Sequence, residues 1–132
     1  MSVGTLGHHF IVEATDCDKE ILKNVEKIRD IFLKAAKESN MTIKGDFFFR
    51  FSPEGVSGTV IVAESHLSIH TWPNEGYAAI DVYTCGNSQP EKAVDYILKE
   101  LKAKKAHITE IKRGIKEENE YIHSIITWEE EL

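Results

Sequence analysis

Long apolar runs, cysteine pairs and surplus basic charge are all scarce in this 132-residue sequence, and each scarcity removes a class of function. No apolar run approaches the ~20 residues that a membrane-crossing helix needs. The amino terminus Met1-Ser2-Val3-Gly4 has no basic region followed by an apolar one, so a cytoplasmic protein with no membrane partner is expected. Lys and Arg number 16 against 22 Asp and Glu, a net charge of −6. Polyanion binding depends on clustered cations that release counterions, so no nucleic-acid partner is expected. Cys17 and Cys85 are the only cysteines. A chain of this size and 42% hydrophobic content does not need a disulfide, and a reducing compartment would keep both as free thiols. No Cys-x-x-Cys pair occurs, and no metal site is expected. Repeats and linkers are also missing, which leaves residues 1–132 as one domain.

The patterned segments follow one another closely. Leu6 to Ala14 reads as a strand, closed by the turn at Asp16-Cys17-Asp18. Asp18 is placed to cap a helix whose apolar residues Ile21, Val25, Ile28, Phe32 and Ala35 recur at three- and four-residue steps as far as Ser39-Asn40. Strands are expected over Thr42 to Phe51 and Val56 to Ala63, separated by Ser52-Pro53-Glu54-Gly55. Pro73-Asn74-Glu75-Gly76 turns the chain into a further strand, Tyr77 to Thr84. Ser88-Gln89-Pro90-Glu91 reads as a capping box before a second helix striped by Val94, Ile97, Leu98 and Leu101. Lys105 to Arg113 is a closing strand, and Tyr121 to Trp128 either adds another or docks on a neighbour. The class is α+β: a two-layer α/β sandwich, a mostly antiparallel sheet with two main helices on one face.

Between the third strand and the turn lies Glu64-Ser65-His66-Leu67-Ser68-Ile69-His70-Thr71-Trp72-Pro73, which carries more polar chemistry than a core strand requires. Alternation sends Leu67 and Ile69 to the helices and leaves His66, Ser68, His70 and Trp72 on the open face. Asp81, Tyr83 and Cys85 of the next strand share that face. Ser65 falls on the wrong parity, so a bend at Glu64-Ser65 is expected, swinging residue 65 to the face of His70 and Cys85. Such a bend suits a strained peptide bond attacked by its own side chain. A serine hydroxyl attacking the preceding carbonyl turns amide into ester and needs donors for the developing oxyanion; Ser57 is a candidate donor. A base must then take the Cα proton of residue 65, and His70 is the candidate because imidazole titrates near neutral pH. Elimination and hydrolysis leave a pyruvoyl group at position 65. That α-keto amide forms a Schiff base with an amine substrate and accepts the electrons left by departing CO₂, as pyridoxal phosphate does. Cys85 is placed to return a proton to the substrate.

Glu64 to Pro73, Gly76-Tyr-Ala-Ala-Ile-Asp81, Tyr83-Thr-Cys-Gly86, Arg50-Phe51 and Gly55-Val-Ser-Gly58 together resemble the small pyruvoyl-dependent S-adenosylmethionine decarboxylase proenzymes of bacteria and archaea. The resemblance runs over roughly residues 5 to 113. It implies a zymogen that cuts itself between Glu64 and Ser65 into residues 1–64 (the β chain) and 65–132 (the α chain). Ser65 becomes the pyruvoyl group, the only cofactor; His70 and Ser57 assist processing, and Cys85 is the proton donor in decarboxylation. S-adenosylmethionine is the implied substrate, with CO₂ and the aminopropyl donor of spermidine and polyamine synthesis as products. The adenine would lie between Phe51 and Trp72. Where many relatives have a glutamate after Trp-Pro that holds the ribose, this chain has Asn74 then Glu75, and both are ribose candidates. A homodimer with sites built across its interface is also implied.

Alternatives stand beside this reading. Some archaeal arginine decarboxylases share the scaffold and the Glu-Ser bond. A non-catalytic small-molecule-binding domain fits the fold, and Cys85 with a histidine allows a hydrolase. His66 is either a surface or a pocket residue, while His8-His9 reads as a strand start and Cys17 carries no function.

Overall fold

In the computed structural model, which describes residues 6–118 and 120–131, the strands form one antiparallel sheet of seven in the order β2-β3-β4-β5-β1-β6-β7. Met1 to Gly4, the segment in which no targeting signal is expected, lie outside the described residues. The chain runs β1 (Gly7–Thr15), α1 (Lys19–Lys23), α2 (Val25–Glu38), β2 (Ile43–Phe51), β3 (Gly55–Val62), β4 (Ser65–Trp72), a 3₁₀ turn (Pro73–Glu75), β5 (Tyr77–Cys85), α3 (Pro90–Glu100), β6 (Lys105–Glu117) and β7 (Glu120–Glu131). Among the described residues no helix is long and apolar enough to cross a membrane.

Alternation decides which face is covered. Phe10, Val12, Val60, Leu67, Ile69, Ile80 and Val82 are buried against Leu22, Ile28, Phe32, Ile97 and Leu101 of the helical layer. Burying such side chains removes about 25 cal/mol of cost per Å² of apolar surface, which makes this layer contact the main source of stability. Thr71, fully buried among these residues, donates its hydroxyl to Leu22 O at 2.9 Å and accepts from Val56 N–H at 2.9 Å. That pair of bonds satisfies both buried backbone groups and ties the end of α1 to the start of β3.

Two local readings change and a third is decided between its two alternatives. The single helix expected from Asp18 to Ser39 divides at Asn24, whose backbone is extended (φ −94°, ψ 99°) and whose Oδ1 accepts from Lys27 N at 3.0 Å. An asparagine that caps a new helix competes with continuation of the old one. The expected capping box gives way to an α3 capped by Gln89 without a side-chain bond, and Ser88 donates instead to Cys85 O at 3.3 Å. The tail from Tyr121 forms a strand, pairing along β6 with a register shift between Lys112 and Ile115.

Candidate active site

The two-residue turn Ala63-Glu64 joins β3 to β4, with Val62 facing Ser65. Ser65 has φ +151°, a conformation that costs a side-chain-bearing residue of order 1–3 kcal/mol. The expected irregularity is therefore at Glu64-Ser65. The Glu64 carbonyl is held from the neighbouring strand: Cys85 N–H donates to its oxygen at 3.1 Å and the Cys85 thiol at 3.2 Å. Two donors on one carbonyl oxygen are what an oxyanion needs as charge develops. On the other flank the Glu64 carboxylate accepts from Thr42 N–H at 3.0 Å, and Ala63 N–H donates to Thr42 O at 2.8 Å. Cys85 is exposed. Cys17 is buried and its thiol is pushed up to about 12, by burial first and then by Asp16.

The structure puts Ser57 elsewhere than at this carbonyl. It faces His70 across the β3–β4 pair, with Ser57 Oγ 2.8 Å from His70 Nδ1. Five residues of strand separate this pair from Ser65, about 16 Å at 3.3 Å per residue. The bend therefore does not bring Ser65 to His70: Ser65 keeps its place in the β4 ladder opposite Thr84, and the ladder fixes the distance. Cys85 supplies the carbonyl donors expected of Ser57. Only the hairpin register, which puts Cys85 one residue beyond the Ser65–Thr84 pair, would have shown this.

At the far end of β4, Phe51 and Trp72 meet edge to face with ring centres 6.4 Å apart. Trp72 also stacks on Tyr77 at 5.2 Å, and the Tyr77 hydroxyl donates to the Glu13 carboxylate at 2.7 and 2.8 Å. Burial and the adjacent Glu13 raise the Tyr77 phenol to about 12, so it remains a donor. A Cβ at Gly55 would lie 2.0 Å from the Phe51 ring, so only glycine lets that ring lie across β3. Phe51, Trp72, Asn74 and Glu75 line a cleft of about 160 Å³. Both ribose candidates reach it. Trp72 is seven residues from Ser65, about 23 Å along the strand.

The middle of the open face holds a cluster that sequence reasoning undervalued. His9 Nε2 lies 2.9 Å from Asp81 Oδ1, and that hydrogen bond holds the Asp81 carboxyl below its ordinary range. His66 packs against Tyr83 at 5.8 Å and His9 at 6.5 Å; burial, then His9, pushes its imidazole down. Arg113 lies over the Tyr83 ring at 4.7 Å. His66 is thus a member of a packed cluster. The signal lay in cross-strand register, which sets His9 against Tyr83 and Tyr83 against His66. His66 and His70 are four apart, a metal-binding spacing on a helix, but on β4 that is about 13 Å. Among the described residues no group of three or more His, Cys, Asp or Glu is placed to hold a metal.

Fold and site define an α+β two-layer protein in which a cysteine holds the backbone carbonyl of Glu64 and a serine at φ +151° follows it. The comparisons narrow this. Residues 8–114 match the family model described as S-adenosylmethionine decarboxylase. The chain is 63% identical over 130 residues to the S-adenosylmethionine decarboxylase proenzyme of Pyrococcus horikoshii, covering 97% of this chain and 94% of that one. It is 51% identical over 111 residues to the proenzyme of Thermotoga petrophila, covering 83% and 85%. The adenosylmethionine decarboxylase crystal structure from Aquifex aeolicus superposes with a TM-score of 0.81 at 40% identity, covering 88% of this chain and 97% of that one. The chain belongs to the S-adenosylmethionine decarboxylase family.

Proposed function

We propose that this chain is a proenzyme that cuts itself at Glu64-Ser65 and then decarboxylates S-adenosylmethionine. The observation that carries the reading is the Glu64 carbonyl, gripped by two Cys85 donors beside a serine at φ +151°. Ser65 Oγ adds to the Glu64 carbonyl carbon, the C–N bond breaks, and the chain is joined by an ester with a free amine at residue 65. Loss of the Cα proton then expels the Glu64 carboxylate from Cβ. Water replaces the nitrogen, which leaves as ammonia, and residues 1–64 and 65–132 separate as two chains.

The residues fit a pyruvoyl group at position 65, since a hydroxyl-bearing side chain follows a pre-polarised carbonyl and an exposed thiol lies beside it. When present, that group supplies an electron sink for the bond to the departing carboxylate. Cys85 Sγ returns a proton to the substrate α-carbon. His70 acts in processing: in the tautomer that donates Nδ1–H to Ser57 Oγ, Nε2 keeps a lone pair for the Cα proton. Phe51 and Trp72 flank the adenine, and Asn74 or Glu75 takes the ribose. The name shared by the relatives supports S-adenosylmethionine over arginine. Release of labelled CO₂ from carboxyl-labelled S-adenosylmethionine and none from arginine is the expected result; release from arginine alone overturns the substrate assignment.

The spacing within one chain supports a dimer. Ser65 and Cys85 sit at one end of the β4–β5 pair, while His70, Ser57, Phe51 and Trp72 lie about 16–23 Å away. Two copies packed open face to open face with strands antiparallel bring one end of each over the other end of its partner. Phe47, Phe49 and Ile61, exposed on that face, form the kind of apolar patch that marks an interface. The cytoplasm, where both cysteines stay reduced, is the proposed location. In this arrangement the chains Ser65→Ala and His70→Ala, each uncut alone, complement one another. The purified mixed dimer regains one working site of two, about half the wild-type activity. A mixed dimer that stays uncut rules out sharing of the site.

A further inference from the structure

The Glu64 carbonyl has a place in the processing chemistry, but the Glu64 side chain has none so far. Its carboxylate reaches back across the turn to Thr42, the residue just before β2, and accepts from Thr42 N–H at 3.0 Å. The same Thr42 accepts Ala63 N–H through its carbonyl at 2.8 Å. Residues 63 and 64 are thus pinned to one backbone unit on the β2 side, while Cys85 N–H and the Cys85 thiol pin the Glu64 carbonyl on the β5 side at 3.1 and 3.2 Å. The bond to be cut lies between these anchors, and the strained residue Ser65 follows it.

We propose that the Glu64 side chain is a positioning group for self-cleavage: by accepting from Thr42 N–H it fixes the rotation of residue 64, so that the carbonyl carbon faces the Ser65 hydroxyl and the carbonyl oxygen faces Cys85. A two-residue turn without this anchor is free to rotate the peptide plane, which separates the carbonyl from both donors and lets Ser65 relax out of its unusual φ. Orientation of this kind governs attack because the reacting atoms must meet within about 3–3.5 Å along a defined approach. The role asks only for an acceptor at Oε1. The charge of the carboxylate is not required, and the group takes no proton during the cut. A negative charge near a developing oxyanion would oppose it. The anchor to Thr42 places that charge on the side of the turn away from the Cys85 donors.

This inference rests on the self-cleavage reading and is tested within it. Glu64→Gln keeps an acceptor of the same length and Glu64→Ala removes it. The rate at which fresh full-length chain converts to the fragments 1–64 and 65–132 is followed by intact mass. Glu64→Gln is expected to cut within about twofold of wild type and Glu64→Ala at least about tenfold more slowly, the size of effect that misorientation produces. The same two changes on the Ser65→Ala background, which stays uncut, give melting temperatures that separate slowed cutting from lost folding; these are expected to match the Ser65→Ala parent. Equal cutting rates for Glu64→Ala and wild type overturn the inference while leaving self-cleavage intact. Glu64→Gln as slow as Glu64→Ala overturns it as well, since the acceptor alone would then be insufficient. A wild-type chain that never cuts overturns instead the reading beneath it.

Discussion

Ser65→Ala is expected to leave one intact chain of 15.0 kDa with no decarboxylase activity, where the wild type is expected to yield two fragments divided after Glu64. Only the Oγ atom is removed. The Cys85 donors to the Glu64 carbonyl, the Thr42 anchor and the β4 ladder involve other atoms, so the variant folds and keeps its polarised carbonyl. Without the hydroxyl there is no acyl acceptor, and a peptide bond in water does not break on this timescale. The loss of activity should reach the detection limit, because in the proposed reaction the side chain is the source of the electron sink rather than one contributor to a barrier. Intact mass and CO₂ release from carboxyl-labelled S-adenosylmethionine check the two halves separately. Fragments from Ser65→Ala would place the nucleophile elsewhere. Activity from the uncut variant would remove the need for a pyruvoyl group at all.

Periodicity made the layers legible. Leu67 and Ile69 against His66, Ser68 and His70 give the faces of β4 directly, and the stripe Ile28, Phe32, Ala35 gives the buried side of α2. Side-chain alternation is a local property, so it can be read without knowing the partner strand. Distances between residues on different strands depend on register, and register depends on the turns. That is why alternation gives Ser65, His70 and Cys85 a common face but neither the distance from Ser65 to His70 nor the contact of His70 with Ser57 at 2.8 Å. The same cause hid the Cys85 donors and the cluster of His9, Asp81, His66 and Tyr83. The break at Asn24 escaped for a different reason: the apolar stripe crosses it in phase, and only the side-chain competition at one residue shows it. Strand β7 lies beyond the 8–114 span matched by the family model, and its apolar residues, paired at 121–122 and 125–126 rather than alternating, fitted a strand or a docking segment equally well.

The proposed reaction gives Cys85 two separable duties. Its N–H and its thiol both donate to the Glu64 carbonyl in the uncut chain, and in the proposed reaction the thiol then serves as proton donor at position 65. Cys85→Ala keeps the N–H, which is the stronger donor, since a thiol hydrogen bond is weak. Self-cleavage should therefore persist, slowed by about tenfold, well under the ~10²–10³ that removal of a full oxyanion donor costs. Decarboxylation should suffer more. Loss of a positioned general acid typically costs ~10²–10⁴ in rate, or about 2.7 kcal/mol and above, so the cut variant is expected to release CO₂ at least a hundredfold more slowly. Cys85→Ser restores a donor to the carbonyl and should cut close to the wild-type rate, yet it remains a poor proton source because a serine hydroxyl is a far weaker acid than a thiol. The two variants thus move cutting and turnover by different amounts, a split measured by mass conversion against CO₂ release on pre-cut protein. If Cys85→Ala, once cut, turns over at the wild-type rate, the proton comes from another group; if it fails to cut while Cys85→Ser cuts, the thiol's bond to Glu64 outweighs the backbone's.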